Sequence, residues 1–225
     1  MKKTLFGLLL AVTLSVVSSA PALAQNYHRP PQTAKTTPSP DVVPMAPDAG
    51  NVKIFSNLGT NTDAFDSSNG YFVSGQGNGL NGQKQDIAIP FTPRADATAT
   101  GIKIALQYYG YGVNGATVAI YNDAGGLPGT PLVRKDVKNF LDFGTGCCTL
   151  VNVKLGSGLA VKKGVQYWVV GTTDRATNDS VNTWDFVWND AAGTFAFQQD
   201  NGGWLLLTAA DGYPPSAVAV VGTQP

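Results

Sequence analysis

Apolar and polar residues alternate in short runs along most of the chain. In residues 85–91 the apolar side chains Ile87, Ile89 and Phe91 occupy every second position, and residues 101–109 continue the same alternation. A period of two places one set of side chains on one face of a sheet, whereas a helix needs a period near 3.6. The pattern therefore predicts β-strands.

Further short apolar runs predict strands at residues 117–121, 149–155, 165–171, 183–189, 194–197, 204–207 and 217–221. The Asn-Asp-Ala-Gly-Gly-Leu-Pro-Gly run at residues 122–129 and the Asn-Gly-Gly run at residues 201–203 are typical of turns. The Gly-rich stretch at residues 74–85 indicates a loop. Together these features predict an all-β fold, an antiparallel, jelly-roll-like β-sandwich over residues 51–225.

Residues 1–24 have the pattern of a secretory signal peptide. Lys2 and Lys3 precede an apolar run, and Ala22-Leu23-Ala24 supplies the small residues of a cleavage site. The run is shorter than the roughly 20 residues of a membrane span. We therefore expect a mature chain that begins at Gln25, has no transmembrane segment and is secreted, either extracellular or periplasmic.

Residues 25–50 contain six prolines and few apolar side chains, which predicts a disordered leader. His28, the only histidine of the chain, lies in this leader. A catalytic histidine needs a rigid surrounding shell. A Ser-His-Asp triad is therefore not expected, and the sequence predicts no enzymatic activity.

The charges of the chain balance, with 15 Lys and Arg against 15 acidic residues, all of them aspartates. Loss of Lys2 and Lys3 with the signal peptide leaves the mature chain mildly acidic. Nucleic-acid binding needs a basic patch that neutralises phosphates. Nucleic acid is therefore not an expected partner.

Several motifs resemble the choice-of-anchor R domains of bacterial secreted proteins. The most specific motif is Y-N-D-A-G-G-L-P-G at residues 121–129, accompanied by G-V-Q-Y-W-V-V at residues 164–170 and A-V-A-V-V-G-T at residues 217–223. The resemblance spans residues 55–223. It implies an extracellular β-sandwich whose members differ in their surface attachment, and it implies no catalytic motif. The chain departs from many members because it shows no C-terminal anchor.

Cys147 and Cys148 are adjacent and are the only cysteines. They have three alternatives: a vicinal disulfide, bonds to another chain, or free thiols. Export to an oxidising compartment favours the vicinal disulfide, whereas two thiolates alone rarely complete a zinc site. The disulfide would either stiffen the turn at residues 143–149 or form an apolar platform for a sugar or an aromatic group.

Aromatic residues supply the candidate ligand-binding side chains: Tyr109, Tyr111, Trp184, Trp188 and Trp204. Such rings either fill a core or stack on the apolar faces of sugars, and the sequence leaves both alternatives open. The two tyrosines stand beside a Gly-rich bend, and Trp184 and Trp188 share one face of a predicted strand. Trp168, inside an apolar run, is expected in the core.

Aspartates raise two further hypotheses. Asp185 and Asp190 could act as a carboxylate pair on a glycosidic bond, and a structural calcium could bind at Asp63 and Asp66 or at Asn122 and Asp123. Most aspartates in loops are turn formers. No cofactor is therefore predicted, with structural calcium left open.

The sequence predicts a secreted, non-catalytic β-sandwich that binds a glycan or another cell-surface component. The alternative is a structural protein of an extracellular matrix or surface assembly, and a glycan-acting hydrolase is a third hypothesis. The sequence leaves the oligomeric state open.

Overall fold

The computed structural model describes residues 31–36, 51–60, 63–80, 82–145, 147–187, 191–208 and 211–225. These residues contain fourteen strands and no α-helix. The strands are β1 (Thr33–Lys35), β2 (Val52–Ser56), β3 (Asp66–Ser74), β4 (Gln85–Phe91), β5 (Ala97–Ile104), β6 (Leu106–Tyr111), β7 (Gly115–Asp123), β8 (Pro128–Lys138), β9 (Val151–Val161), β10 (Tyr167–Thr172), β11 (Val181–Phe186), β12 (Thr194–Gln199), β13 (Leu205–Thr208) and β14 (Val218–Thr223). The predicted signal peptide and most of the predicted leader lie outside the described residues.

The strands form two antiparallel sheets that pack together. The larger, ten-stranded sheet has the order β6-β11-β3-β4-β10-β7-β8, with β1 beside β3 and the β12–β13 hairpin beside β4. The smaller sheet has the order β2-β14-β5-β9. All pairings between these strands are antiparallel. The predicted all-β antiparallel sandwich is confirmed.

The main core lies between the two sheets and follows the alternating pattern. On β4, Ile87, Ile89 and Phe91 are buried and belong to the same apolar cluster as Ile104 of β5 and Val220 of β14. Full burial of one such side chain is worth about 1.5–3 kcal/mol. Alternation on the inner faces is therefore the main source of stability of the sandwich.

The run at residues 101–109, predicted as one strand, forms two strands in different sheets. The chain leaves the smaller sheet after Ile104 and enters the larger sheet at Leu106. Between them, the carbonyl of Ala105 accepts a hydrogen bond of 2.9 Å from the backbone N–H of Asp185 in β11. Ile104 and Leu106 both point into the core. The apolar alternation therefore continues across Ala105, where the chain passes from one sheet to the other, and does not reveal this change of sheet.

The apolar pattern does not predict β2, β3 or β8. β3 begins with the polar run Asp-Ser-Ser-Asn-Gly and becomes apolar only in its second half. β8 is an edge strand on which only Val133 and Val137 pack against the core, while Arg134 and Asp136 are exposed. Charged side chains are common on edge strands because they discourage pairing with other chains.

Residues 31–36 correct the prediction that residues 25–50 form a disordered leader. Thr33–Lys35 is strand β1, which pairs with β3. Ala34 is buried in a small cluster with Phe72 and Val181 on the outer face of the larger sheet. Backbone pairing with β3 of the larger sheet thus orders a segment that is poor in apolar residues.

The fully buried side chain of Gln85 fastens this segment to the sheet. Its Oε1 accepts a hydrogen bond of 2.8 Å from the backbone N–H of Gln32, and its Nε2 donates to the Gln32 carbonyl at 3.0 Å and to the Phe72 carbonyl at 2.9 Å. One amide thereby satisfies backbone groups of two segments at the place where β3 meets β4.

We expect Gln85→Ala to lower the free energy of unfolding by about 1–3 kcal/mol, because buried backbone groups lose their partners. Amide hydrogen exchange of residues 32–36 should become faster than in the wild type. Denaturant unfolding and exchange mass spectrometry measure both effects. Gln76→Ala, at an exposed loop position, is the control and should change neither. Unchanged exchange of residues 32–36 would show that Gln85 does not hold the segment.

Candidate functional site

Edge strand β6 carries two of the predicted binding residues, Tyr109 and Tyr111, side by side. Their rings are stacked, with centroids 6.2 Å apart and planes inclined by 18°. Tyr109 is half-buried, whereas Tyr111 is 41% exposed. The pair extends an aromatic surface from the body of the sandwich into solvent.

Neighbouring aromatic rings fix the position of Tyr109. The ring of Phe72 on β3 meets it edge to face at a centroid distance of 4.8 Å, and Phe143 lies 5.7 Å away in a tilted arrangement. Ala34, Val181 and Leu80 belong to the same cluster. Because Tyr109 is held on several sides, it provides a rigid support for the more exposed ring of Tyr111.

The glycines around Tyr111 set the path of the chain. Gly110 and Gly112 have φ angles of 98° and 67°, a region that disfavours other residues. A Cβ atom at Gly112 would also collide with the carbonyl oxygen of Asp179. The Tyr108 hydroxyl donates a hydrogen bond of 2.6 Å to the Gly112 carbonyl and closes the bend.

A groove with a volume of about 430 Å³ lies beside the stacked tyrosines. It is lined by Lys35 and Thr36, by residues 108–110 of β6, and by Asp142 and Phe143. It therefore combines aromatic surface with one cationic and one anionic side chain. Sites for small ligands commonly combine apolar walls with a few polar groups that orient the ligand.

Four residues that line the groove were not predicted from the sequence: Lys35, Thr36, Asp142 and Phe143. Phe72 of the supporting cluster was not predicted either. Lys35 lies in the predicted leader, and Asp142 and Phe143 lie in the segment between β8 and β9. That segment is fixed to β6, since the Tyr108 N–H donates to the Leu141 carbonyl and the Phe143 N–H donates to the Tyr108 carbonyl, both at 2.8 Å.

Exposed aliphatic side chains adjoin the tyrosines. Val113 is 38% exposed in the turn after β6, and Leu141 is 50% exposed in the segment that pairs with Tyr108. Exposed aliphatic side chains thus stand on the segment after β6 and on the segment that pairs with it.

Trp184, named as a candidate binding residue with a core position as the alternative, takes the core position. Its side chain is fully buried between the sheets, and its Nε1 donates a hydrogen bond of 2.9 Å to the Ala217 carbonyl. The same alternation that puts Phe186 into the core puts Trp184 there. Trp188, the other predicted residue of this stripe, lies outside the described residues.

Trp204 belongs to a second aromatic group, separate from the tyrosine cluster. It is half-buried against Trp168, which is 1% exposed, on the outer face of the larger sheet. Tyr121 packs against the same cluster. The expected core position of Trp168 is confirmed, and the structure does not bring Trp204 together with Tyr109 and Tyr111.

The carboxylate of Asp123 holds Trp168 in place. Its Oδ1 accepts hydrogen bonds of 2.8 Å from Trp168 Nε1 and from Gln166 Nε2, and its Oδ2 accepts one of 2.9 Å from the Gly126 N–H. Partial burial alone would raise the pKa of Asp123, but these hydrogen bonds outweigh it and lower the pKa below the ordinary value. The carboxylate of Asp123 is thus committed to its own protein neighbours.

Cys147 and Cys148 form the predicted vicinal disulfide, across a cis peptide bond. They are 7% and 1% exposed and pack in an apolar cluster with Phe65, Leu150 and Val187. Cys148 Sγ also accepts a hydrogen bond of 3.2 Å from the Ala64 N–H. Because both sulfur atoms lie inside the protein, the disulfide stiffens the turn and does not form a platform for a ligand.

Asp185, the proposed acid of a hydrolase pair, is fully buried on β11. Burial raises its pKa well above the ordinary value, and the negative charge of Asp66 raises it further. A carboxyl that solvent does not reach cannot contact a polysaccharide in this arrangement. Asp190, the second member of that pair, lies outside the described residues.

The carboxylates suggested for calcium bind within their own turns. Asp66 Oδ1 accepts a hydrogen bond of 2.9 Å from the Ser68 N–H, and Asp66 Oδ2 accepts one of 2.7 Å from Asn69 Nδ2. Asn122 Oδ1 accepts from the Thr130 N–H at 2.7 Å. Among the described residues, no group of three or more His, Cys, Asp or Glu side chains is placed to hold a metal ion.

Comparison with known proteins identifies no relative. No family model matches the chain, and neither a curated protein nor a solved structure matches it significantly. The resemblance to choice-of-anchor R domains therefore stays a prediction. In the part of the chain that the structure describes, no helix is long and apolar enough to cross a membrane.

We expect Asp123→Ala to destabilise the protein by about 1–3 kcal/mol at pH 7, because it leaves the buried Trp168 N–H without an acceptor. Asp123→Asn keeps an oxygen at this position and should cost less. Because the pKa of Asp123 is lowered in the folded state, the charged carboxylate adds to the free energy of unfolding above about pH 4. This contribution is lost as the pH falls through the folded-state pKa of Asp123. The difference in free energy of unfolding between the wild type and Asp123→Asn should therefore become smaller on acidification. Urea unfolding followed by tryptophan fluorescence measures this difference. An equal difference at pH 7 and at pH 3 would contradict this role of Asp123.

We also expect the native protein to resist thiol labelling. Its intact mass should be lower by two hydrogen atoms than that of the reduced chain. Because both cysteines are buried, a mild thiol reductant followed by alkylation should add no label until denaturant is present, and then two. Labelling of the native, untreated protein at two sites would refute the disulfide.

Proposed function

We propose that the protein is an exported, non-catalytic β-sandwich that binds a glycan or another cell-surface component in the groove beside Tyr109 and Tyr111. The observation that carries this proposal is the stacked tyrosine pair: Tyr109 lines a groove of about 430 Å³, and the exposed ring of Tyr111 stacks on Tyr109. Tyrosine presents an apolar face and a polar tip, a combination suited to wet binding surfaces.

The charges of the groove support a polar ligand. Lys35 contributes an ammonium group and Asp142 a carboxylate, and neither forms an ion pair in the part of the chain that the structure describes. Sugars offer hydroxyl groups to both kinds of side chain and apolar C–H faces to aromatic rings. The groove supplies partners for both parts of such a ligand.

Export is part of the proposal and has separate support. The first 24 residues have the signal-peptide pattern, and a structural disulfide is typical of exported proteins. Membership of the choice-of-anchor R family would agree with both features. We accordingly propose a secreted or periplasmic location.

A second candidate function is assembly with other surface proteins. The exposed side chains of Val113 and Leu141 favour it, because aliphatic surface is better suited to a protein partner than to a sugar. It uses the same end of the larger sheet, so one set of variants separates the two functions.

The test is retention of the mature chain by a panel of neutral and uronic-acid polysaccharides in affinity electrophoresis. We expect Tyr111→Ala to weaken binding by about tenfold, the effect of losing roughly 1.4 kcal/mol of ring contact. Tyr111→Phe should retain most of the binding because it keeps the ring. Leu206→Ala removes a side chain with 43% exposure on β13 and is the matched control.

Unchanged retention of Tyr111→Ala, or no retention of the wild type by any polysaccharide, would contradict the glycan proposal. In that case, self-association of the wild type in sedimentation experiments, lost in Leu141→Ala, would favour assembly. Circular dichroism of each variant separates loss of binding from loss of the fold.

A further inference from the structure

Strand β11 carries buried oxygen atoms that have no hydrogen-bond partner in the described part of the chain. They are Thr183 Oγ1 and both carboxyl oxygens of Asp185, and both side chains are fully buried. The two residues are two positions apart on the strand, so their side chains lie on the same face of the sheet, about 7 Å apart along the strand. Buried polar atoms are nearly always hydrogen-bonded, and each exception calls for a physical explanation.

The side chain of Gln107 lies beside Thr183. Gln107 on edge strand β6 is the direct cross-strand partner of Thr183 on β11. Such partners have their side chains on one face of the sheet, with Cβ atoms about 5 Å apart. Gln107 is only 2% exposed. A buried hydroxyl group and a buried amide are thus side by side on two paired strands.

The segment between β8 and β9 holds the amide of Gln107. Its Oε1 accepts a hydrogen bond of 3.0 Å from the Gly144 N–H, whereas its Nε2 donates only a long one of 3.4 Å to Thr145 Oγ1. A donor at the carbonyl oxygen stabilises the negative charge that develops there when a nucleophile attacks the carbon. The amide carbon of Gln107 is therefore polarised, and its nitrogen is weakly held.

The methyl group of Thr183 packs on the side away from Gln107. Thr183 Cγ2 lies over Gly70 on β3, the other neighbour of β11, where a Cβ atom in place of the glycine hydrogen would collide with it. The methyl group, and not the hydroxyl, is thus packed toward β3. This contact leaves the hydroxyl of Thr183 without a competing partner on that strand.

The carboxyl of Asp185 is neutral in this environment. A fully buried carboxylate without a hydrogen-bond donor has a large desolvation cost, which protonation removes. Burial accordingly raises the pKa of Asp185 well above the ordinary value. A neutral carboxyl has one oxygen that accepts a proton and one that donates a proton. It can therefore transfer a proton between two neighbouring groups without changing its own charge.

We propose that Thr183 and Gln107 form an internal ester bond, with Asp185 as the proton relay. Thr183 Oγ1 attacks Cδ of Gln107 and forms the C–O bond. The hydroxyl proton passes to one oxygen of Asp185, while the other oxygen of Asp185 gives its proton to Nε2 of Gln107. The C–N bond then breaks and ammonia leaves. The products are the ester and one molecule of ammonia, and the step needs no further reactant.

Burial also preserves the bond once it has formed. Thr183 and Asp185 are closed to solvent, and exclusion of water prevents hydrolysis of a reactive group. The ester fastens edge strand β6, which carries Tyr109 and Tyr111, covalently to β11. The inference does not depend on ligand binding in the groove.

The test is mass spectrometry of the mature chain. We expect the wild type to be lighter than its sequence by one ammonia molecule, in addition to the two hydrogen atoms of the disulfide. Trypsin places Gln107 and Thr183 in separate peptides, residues 104–134 and 176–225. These two peptides should be recovered as one joined species, and alkaline hydroxylamine, which cleaves esters, should separate them.

The joined peptide identifies the bond, because cyclisation of an N-terminal glutamine also releases ammonia. Thr183→Val removes the hydroxyl with little change of shape and should abolish the joined peptide. Thr117→Val is the matched control and should keep it, since Thr117 is a buried threonine of β7 whose hydroxyl already donates to Asp136 at 2.8 Å.

Asp185→Asn tests the relay separately. It keeps the hydroxyl and the amide but lacks the acidic proton, so the joined peptide should appear about 100-fold more slowly or less in samples taken at intervals after synthesis. Circular dichroism of each variant shows whether it folds. An unchanged rate in folded Asp185→Asn would refute the role of Asp185. Recovery of the two wild-type peptides unjoined and at their unmodified masses would overturn the ester bond, whatever the variants do.

Discussion

Trp184 joins the two sheets of the sandwich. Its indole is fully buried, and its Nε1 donates to the carbonyl of Ala217, which leads into β14 of the smaller sheet. On the other side its ring covers Gly171 of β10, where a Cβ atom would lie 3.0 Å from Trp184 Cε3. A ring of this size dominates the apolar area that its strand can bury. Its position therefore decides which face of β11 is turned toward the core.

The outer face of β11 follows from that choice. With Trp184 and Phe186 inside, Thr183 and Asp185 must point to the opposite face. That face is not exposed either, because both side chains are fully buried. β11 also pairs with β6, so the same strand fixes the edge from which Tyr109 and Tyr111 project. The orientation of β11 thus determines three features: the core face with Trp184, the buried oxygen atoms of Thr183 and Asp185, and the edge strand that carries the aromatic groove.

The sequence predicted those parts of the fold in which local pattern and tertiary environment agree. β4 has the bounds of its alternating run, and residues 201–203 fall in the turn between β12 and β13. The corner at Ala105 could not be predicted, because alternation of side chains does not say to which sheet the backbone is bonded.

The candidate site was predictable only in part, for a related reason. Tyr111 and Trp184 look equally suitable as binding residues in the sequence, yet one is 41% exposed and the other is fully buried. Alternation identifies the two faces of a strand but not which face another sheet will cover. Lys35 and Phe143 come from segments without a pattern. Long-range backbone pairing brings Lys35 to β3 and Phe143 to β6.

The segment between β8 and β9 contributes both to the groove and to the buried disulfide cluster. Asp142 and Phe143, in its first half, line the groove, whereas Cys147 and Cys148, in its second half, are buried in the sandwich. Between the two halves, the Gly144 N–H donates a hydrogen bond of 3.0 Å to Gln107 Oε1 on β6. The groove-lining part of this segment is held in place before a ligand binds. A ligand of the kind proposed would therefore not have to order it, which reduces the entropic cost of binding. Phe143 is therefore held against Tyr109 by the hydrogen bonds of its own segment to β6, and the buried disulfide follows in the same segment.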